Sequence, residues 1–182
     1  MSTFDIINKR RSVRSYSDEK IDEKDLKKII ETGKIAPVAG KFQITVIQNK
    51  EILERINNTV KEFFKGSGDE EKIAQGEDPN FNALYGANTL VLFSAPDENP
   101  FGGLDTSLAA ENIILASTEL GLGTCYMLTP IFAIQSPGNE DLIKKFNLPD
   151  GYNLISALTI GKESSNSPKP DRIDSDNINY IK

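Results

Sequence analysis

The chain has no histidine, no tryptophan, one cysteine (Cys125) and two methionines among its 182 residues. The missing histidine excludes the most: no Ser-His-Asp triad, no Cys-His pair and no histidine-bearing zinc motif can be built. Chemistry at neutral pH must then rest on carboxylates, lysine, another kind of nucleophile, or a cofactor with its own reactivity, and the last is the simplest. A single cysteine cannot close an internal disulfide, which accords with a reducing compartment. Cys125 sits in an apolar run, where a small buried thiol is usually inert; a reactive thiol is the functional alternative. No apolar run is long enough to span a bilayer, and Met1 is followed by polar residues rather than an apolar leader core. A cytoplasmic protein is expected, with no membrane partner.

Two phosphate-binding loops are also missing. No G-x-G-x-x-G follows a strand-like run, and no G-x-x-x-x-G-K-[ST] occurs. What remains is an ordinary globular composition, 38% hydrophobic and 26% charged, in a length that suits one domain over residues 1–182. The formal net charge of −6 disfavours bulk nucleic acid as a partner, although a local basic patch could still hold one small anion.

Such a patch stands near the N-terminus. The stretch RRSVRSY, Arg10 to Tyr16, places three arginines and two serines within seven positions. Guanidinium forks and hydroxyls suit a phosphate, and a nearby helix end can add backbone amides. The alternative is a solvated basic helix end. Lys169 and Arg172, in SPKPDR, form a second basic cluster; they read either as surface charge or, if folded beside Arg10 and Ser12, as the second jaw of a phosphate clamp.

Local patterning mixes helices and strands without a regular βαβ beat. Thr3 is expected to cap a short helix ending at the arginines, and Asp22 a second helix carrying Leu26, Ile29 and Ile30. Phe42–Ile47, Thr89–Ser94, Thr124–Met127 and Tyr152–Ile160 read as strands, and Glu51–Phe64 as an amphipathic helix. Lys65–Asn82 offers little periodicity and reads as a mobile loop or weak helix, the natural place for a lid. Asp105 is expected to cap a long central helix, apolar on more than one side, that ends at Gly121 and Gly123. Pro130 is expected to open a loop and Asn139 to cap a short helix. Glu111, an acid within the apolar central helix, would need a partner if buried and reads as structural rather than as a base. Gly121 and Gly123 follow their helix, so they read as its C-cap, with a second possible use as backbone amide donors. Ile178, Tyr180 and Ile181 alternate like an added strand at the end of a Ser-, Pro- and Asp-rich tail.

Taken in order, RRSVRSY, IAPVAGKFQ, LDTSLAAENIILASTELGLGTCYM and IGKESSNSPKPDR resemble the nitroreductase family of FMN-dependent oxidoreductases over nearly the whole chain. The resemblance implies an α+β three-layer sandwich with a mostly antiparallel sheet. It also implies a homodimer with FMN at the interface and a C-terminal strand exchanged with the partner. The residues it places on FMN are Arg10, Ser12 and Arg14, then Lys169 and Arg172; Arg11 reads either as a further cofactor residue or as a surface or salt-bridge residue. It adds Pro37, Val38, Ala39 and Lys41 on a loop from the other subunit, and Gly121 and Gly123 ahead of the segment bordering the flavin. The implied activity is hydride transfer from NADH or NADPH to flavin and then to a nitroaromatic or quinone acceptor by ping-pong turnover. Val38, Lys41, Asn88 and Glu111 depart from the family's common residues, which bears on substrate preference and flavin potential. A flavin-binding protein without efficient turnover and a colourless phosphate-binding or interaction module are the alternatives.

Overall fold

The computed structural model describes residues 2–168 and 177–182. Four strands, β1 (Gln43–Ile47), β2 (Thr89–Pro96), β3 (Gly123–Met127) and β4 (Tyr152–Gly161), form an antiparallel sheet in the order β1-β2-β4-β3. The central strand β2 is apolar on both faces because both are covered. Val91 and Phe93, with Leu158 and Ile160 of β4, meet α2 (Glu23–Lys34) and α5 (Gly102–Glu119) through Leu26, Ile29, Ala109 and Ile113. Leu90 and Leu92, one residue out of phase, meet α3 (Lys50–Lys65), α6 (Thr129–Ile134) and α7 (Glu140–Lys144) through Leu53, Ile56, Ile131, Ile134 and Leu142. The expected three-layer α+β sandwich is therefore what forms. Two further helices, α1 (Thr3–Lys9) and α4 (Glu70–Glu77), pack on α5 and α3. No helix of the described residues is long and apolar enough to cross a membrane.

Local chemistry corrects several expected boundaries. Ser2, not Thr3, caps α1: its hydroxyl accepts from the Asp5 N–H while Asp5 accepts from the Ser2 N–H, a reciprocal capping box. The central helix begins at Gly102 with Phe101 as N-cap, so Asp105 lies in the first turn and turns to another task. Pro130 does not open a loop but sits at the start of α6, where its missing N–H is no loss. The segment after Lys65 contains α4, capped by Asp69 through the N–H groups of Glu71 and Lys72. Asn139 takes the N-cap position of α7 but spends its side chain on the carbonyls of Ala133 and Ser136. Gly121, in the left-handed region at φ 75°, turns the chain out of α5, whereas Gly123 is the first residue of β3. Glu111 is exposed on α5. Residues 177–182 form no strand in the single chain, and Ile178, Tyr180 and Ile181 stand exposed.

Candidate functional site

Arg10 is the C-cap of α1, its N–H donating to the Ile6 carbonyl, and the chain leaves the helix there in extended form. From this point RRSVRSY runs as a strap across the open edge of the sheet. The Val13 N–H donates to the Thr124 carbonyl at 2.8 Å, beside a parallel bridge between Ser12 and Thr124 of β3. The Ser17 N–H donates to the Lys162 carbonyl at 2.9 Å, and Tyr16 forms an antiparallel bridge with Glu163. The strap thus joins β3 to the segment leaving β4.

Glycine makes that approach possible. A Cβ on Gly123 would lie 2.7 to 2.9 Å from three side-chain carbons of Val13, and one on Gly161 would lie 2.8 Å from the Tyr16 ring. Val13 and Tyr16 are buried against these two glycines, and the Tyr16 hydroxyl reaches Thr159 at 2.9 Å in the core. Burial pushes the Tyr16 hydroxyl far above its ordinary ionisation range.

An extended strap points successive side chains to opposite sides. Arg11, Val13 and Ser15 face Glu163, Gly123 and Ser164: Arg11 Nη2 lies 2.6 Å from both Glu163 oxygens, and the Ser15 and Ser164 hydroxyls are 2.9 Å apart. Ser12 and Arg14 lie instead beside Cys125, and Arg14 also beside Tyr85. Burial raises the pKa of the Cys125 thiol, with Arg14 and Ser12 working against the rise, so this is a protonated, buried thiol rather than a nucleophile. Tyr85 was not anticipated from sequence. It holds φ 58° and accepts the Tyr16 N–H on its carbonyl; the dipeptide Tyr85-Gly86 was its only signal.

Lys9, Arg10, Arg11, Val13, Gly121, Gly123 and Glu163 border a cleft of about 100 Å³. The sequence's basic cluster and its glycine turn therefore do come together. Whole-ligand pockets run to about 300–1,000 Å³, so a cleft of this size, lined in part by the Arg11–Glu163 pair, holds no whole cofactor. A roomier groove of about 540 Å³ between α3 and the α6–α7 connection lies away from the arginines, and its Arg55 is already paired with Asp141.

The loop of Pro37, Val38, Ala39 and Lys41 is placed elsewhere. The Ala39 and Gly40 N–H groups donate to the two Asp105 oxygens at 2.8 and 2.9 Å, and Asn99 donates to the same carboxylate. This is the task Asp105 takes in place of helix capping. Val38 packs on the α2–α5 core, while Pro37, Ala39 and Lys41 are exposed. The loop thus sits at the N-terminal end of α5 and the glycine turn at the other end, about 24 Å apart along the axis at 1.5 Å per residue. Lys169 and Arg172 lie outside the described residues.

Comparison with known proteins agrees with this architecture. Residues 7–162 match the family model described as the Nitroreductase family. The FMN reductase [NAD(P)H] of Bacillus subtilis is 29% identical over 186 residues, covering 93% of this chain and 69% of the relative. A nitroreductase from Bacteroides fragilis, solved with bound FMN, superposes with a TM-score of 0.90 at 25% identity over the full length of both chains. A second FMN-bound nitroreductase, from Desulfitobacterium hafniense, has the same TM-score at 23% identity, also over the full length of both. With the sandwich, the strap and the glycine turn in the same order along a match from residue 7 to 162, the chain belongs to the nitroreductase family.

Proposed function

We propose that the protein is a cytoplasmic FMN-dependent NAD(P)H oxidoreductase that works as a homodimer and passes electrons to nitroaromatic or quinone acceptors. The observation that carries this reading is the strap: its odd residues are consumed by the fold, while Ser12 and Arg14 remain on the other side next to β3. The residues fit FMN. Arg10 would hold the phosphate, Ser12 the ribityl chain and Arg14 the pyrimidine edge of the ring. Lys169 and Arg172 would complete the phosphate clamp.

When bound, the flavin supplies the redox chemistry, accepting hydride from NADH or NADPH and returning electrons to an acceptor that takes the nicotinamide's place, which gives ping-pong kinetics. The chain's own part is electrostatic. The exposed Arg14 guanidinium would favour negative charge at the ring's pyrimidine edge and raise the tendency of the cofactor to accept electrons. Lys41 would add a second cation from the partner's loop, and Val38 an apolar surface where a hydroxyl is common.

A second copy is inferred from an apolar face left open among the described residues. Phe101, Leu104 and Leu108 stand exposed along one face of α5, with Phe4 and Ile7 exposed on neighbouring α1. Packing two α5 helices antiparallel through this face would cover the apolar stripe and bring the 37–41 loop of each copy to the strap of the other. The exposed Ile178, Tyr180 and Ile181 would then add a strand to the partner.

The visible spectrum of the purified protein tests the cofactor, and anaerobic mixing with NADH or NADPH tests turnover. A yellow protein bleached by reduced nicotinamide, recoloured by quinone and giving parallel initial-rate lines is expected. A colourless protein indifferent to added FMN overturns the reading; a yellow one that NAD(P)H does not bleach reduces it to a flavin carrier.

A further inference from the structure

We infer that Arg11 and Glu163 form a positioning latch that fixes which side of the 10–16 strap faces the ligand. The inference rests on the FMN reading above, and it takes Arg11 off the cofactor and gives it to the fold. Among the described residues this ion pair is the most enclosed: its side chains are 27% and 26% exposed, while every other pair has partners at least 41% exposed. It is also long-range, joining positions 152 residues apart. Arg11 Nη1 is buried with no hydrogen-bond partner among the described residues, so the guanidinium is held by Glu163 and by packing rather than by a wider network.

The strap's geometry gives the latch its consequence. In an extended segment, a slip of one residue exchanges the two faces. Register here is set on one face by three contacts in alternation: Arg11 on Glu163, Val13 on Gly123, Ser15 on Ser164. The backbone repeats the pairing, with the Ser164 N–H donating to the Ser15 carbonyl at 3.0 Å. Val13 and Ser15 are short and their contacts are weakly directional. Of these three, the charged pair is the contact that a slipped register could not replace without leaving a carboxylate and a guanidinium partly buried and apart, and it acts beside the buried hydrogen bond of Tyr16 to Thr159 on the strap's other end. Its neighbours Arg10 and Ser12 would lose their placement first, and these are the residues assigned to the phosphate end.

The sign of one substitution separates this role from its rivals. If Glu163 were only a negative charge near a phosphate, Glu163→Gln would tighten FMN; if Arg11 touched FMN directly, Arg11→Gln alone would weaken it. A latch predicts that both substitutions weaken FMN binding by about tenfold, the scale of a lost charge-assisted hydrogen bond, and that the double variant is no worse than either single one. Apoprotein titrations with FMN and with riboflavin, read by flavin fluorescence, provide the test. The loss should be clearly larger for FMN than for riboflavin, because the phosphate end is displaced; a general loosening of the fold would weaken both alike. The exchanged pair Arg11→Glu with Glu163→Arg should recover FMN affinity, and it keeps the inference open to test should a single variant fold poorly. Unchanged or tighter FMN binding in Glu163→Gln, or equal losses for FMN and riboflavin, overturns the latch and leaves the FMN reading intact. A parent protein that binds neither flavin overturns the FMN reading itself, and the latch with it.

Discussion

The Asp105 carboxylate, in the first turn of α5, accepts the Ala39 N–H at 2.8 Å and thereby ties a loop to a helix 66 positions away. The Ala39 N–H, more than any other contact, holds the Asp105 carboxyl below the usual carboxylate range; Asn99 and the Gly40 N–H add to this against the opposing effect of burial. A carboxyl whose folded pKa is depressed contributes stability above its unfolded value, near 4, and loses that contribution as pH falls through the folded value. Asp105→Asn should therefore melt below the parent at pH 7, and the gap should close as the pH is taken below about 4. Melting followed by circular dichroism from pH 7 to pH 3 checks this; a gap that does not narrow in acid removes ionisation of Asp105 as its source.

Gly123 carries a steric prediction. An added Cβ would meet Val13 at 2.7 to 2.9 Å, against three carbons of a stiff, branched side chain. Gly123→Ala should cost about 1–3 kcal/mol, the usual range for overpacking a tight contact. Adding Val13→Ala should return part of that loss, so the two changes are not additive. Denaturant unfolding of the two single variants and the double variant measures the coupling.

The sandwich was legible because both of its periodicities are strong. The apolar run of β2 announces a strand covered on both faces, and the structure covers both; α5, apolar on more than one side, is covered by the sheet and α2 but leaves Leu104 and Leu108 exposed. Two of the misses share one physical cause, a polar or special residue whose strongest partner is remote. Asp105 reads as a cap because acids cap helices, yet its donors come from a distant loop. Tyr85 gave almost no signal, since what places it is the Tyr16 N–H across the strap. At the site, residue types in RRSVRSY pointed to an anion, but not which arginine turns inward; Glu163, which decides that for Arg11, lies 152 positions further on.

Tyr16 is the alkaline counterpart of Asp105. Burial raises its hydroxyl pKa far above the ordinary value near 10, with the hydrogen bond to Thr159 acting in the opposite direction. The protonated form is thus favoured by folding, and the resulting stability is complete below about pH 10 and lost as the pH rises beyond it. Tyr16→Phe should cost about 0.5–1.5 kcal/mol at pH 7 through the lost hydrogen bond. Above about pH 10 the variant should lose stability less steeply than the parent. Parallel urea titrations at pH 7 and in alkaline buffer distinguish this from a simple packing defect, which would give the same deficit at both.

Arg10→Ala addresses the phosphate end directly. Loss of a charge-assisted hydrogen bond should weaken FMN by roughly 1.5–3 kcal/mol and leave riboflavin nearly unaffected. Flavin retention after gel filtration, with titration of the apoprotein, reads the difference. Full retention of FMN by this variant would remove Arg10 from the site.

Leu108 tests whether the second copy is part of the site. It is 45% exposed on α5, in line with Leu104 at 66% and Phe101 at 51%, and nothing among the described residues covers this stripe. Burying a leucine contributes about 1.5–3 kcal/mol, and at a two-fold interface each substitution acts twice. Leu108→Lys should then weaken dimerisation on the order of 100-fold or more, from a loss of about 3 kcal/mol. Light scattering behind gel filtration should show monomer at concentrations where the parent is a dimer. FMN should be lost in step with the dimer, because the loop of Pro37 to Lys41 and the strap lie at opposite ends of α5 and can share a ligand only between copies. A monomeric variant that keeps its FMN would show that one strap suffices and that the loop takes no part in holding the cofactor.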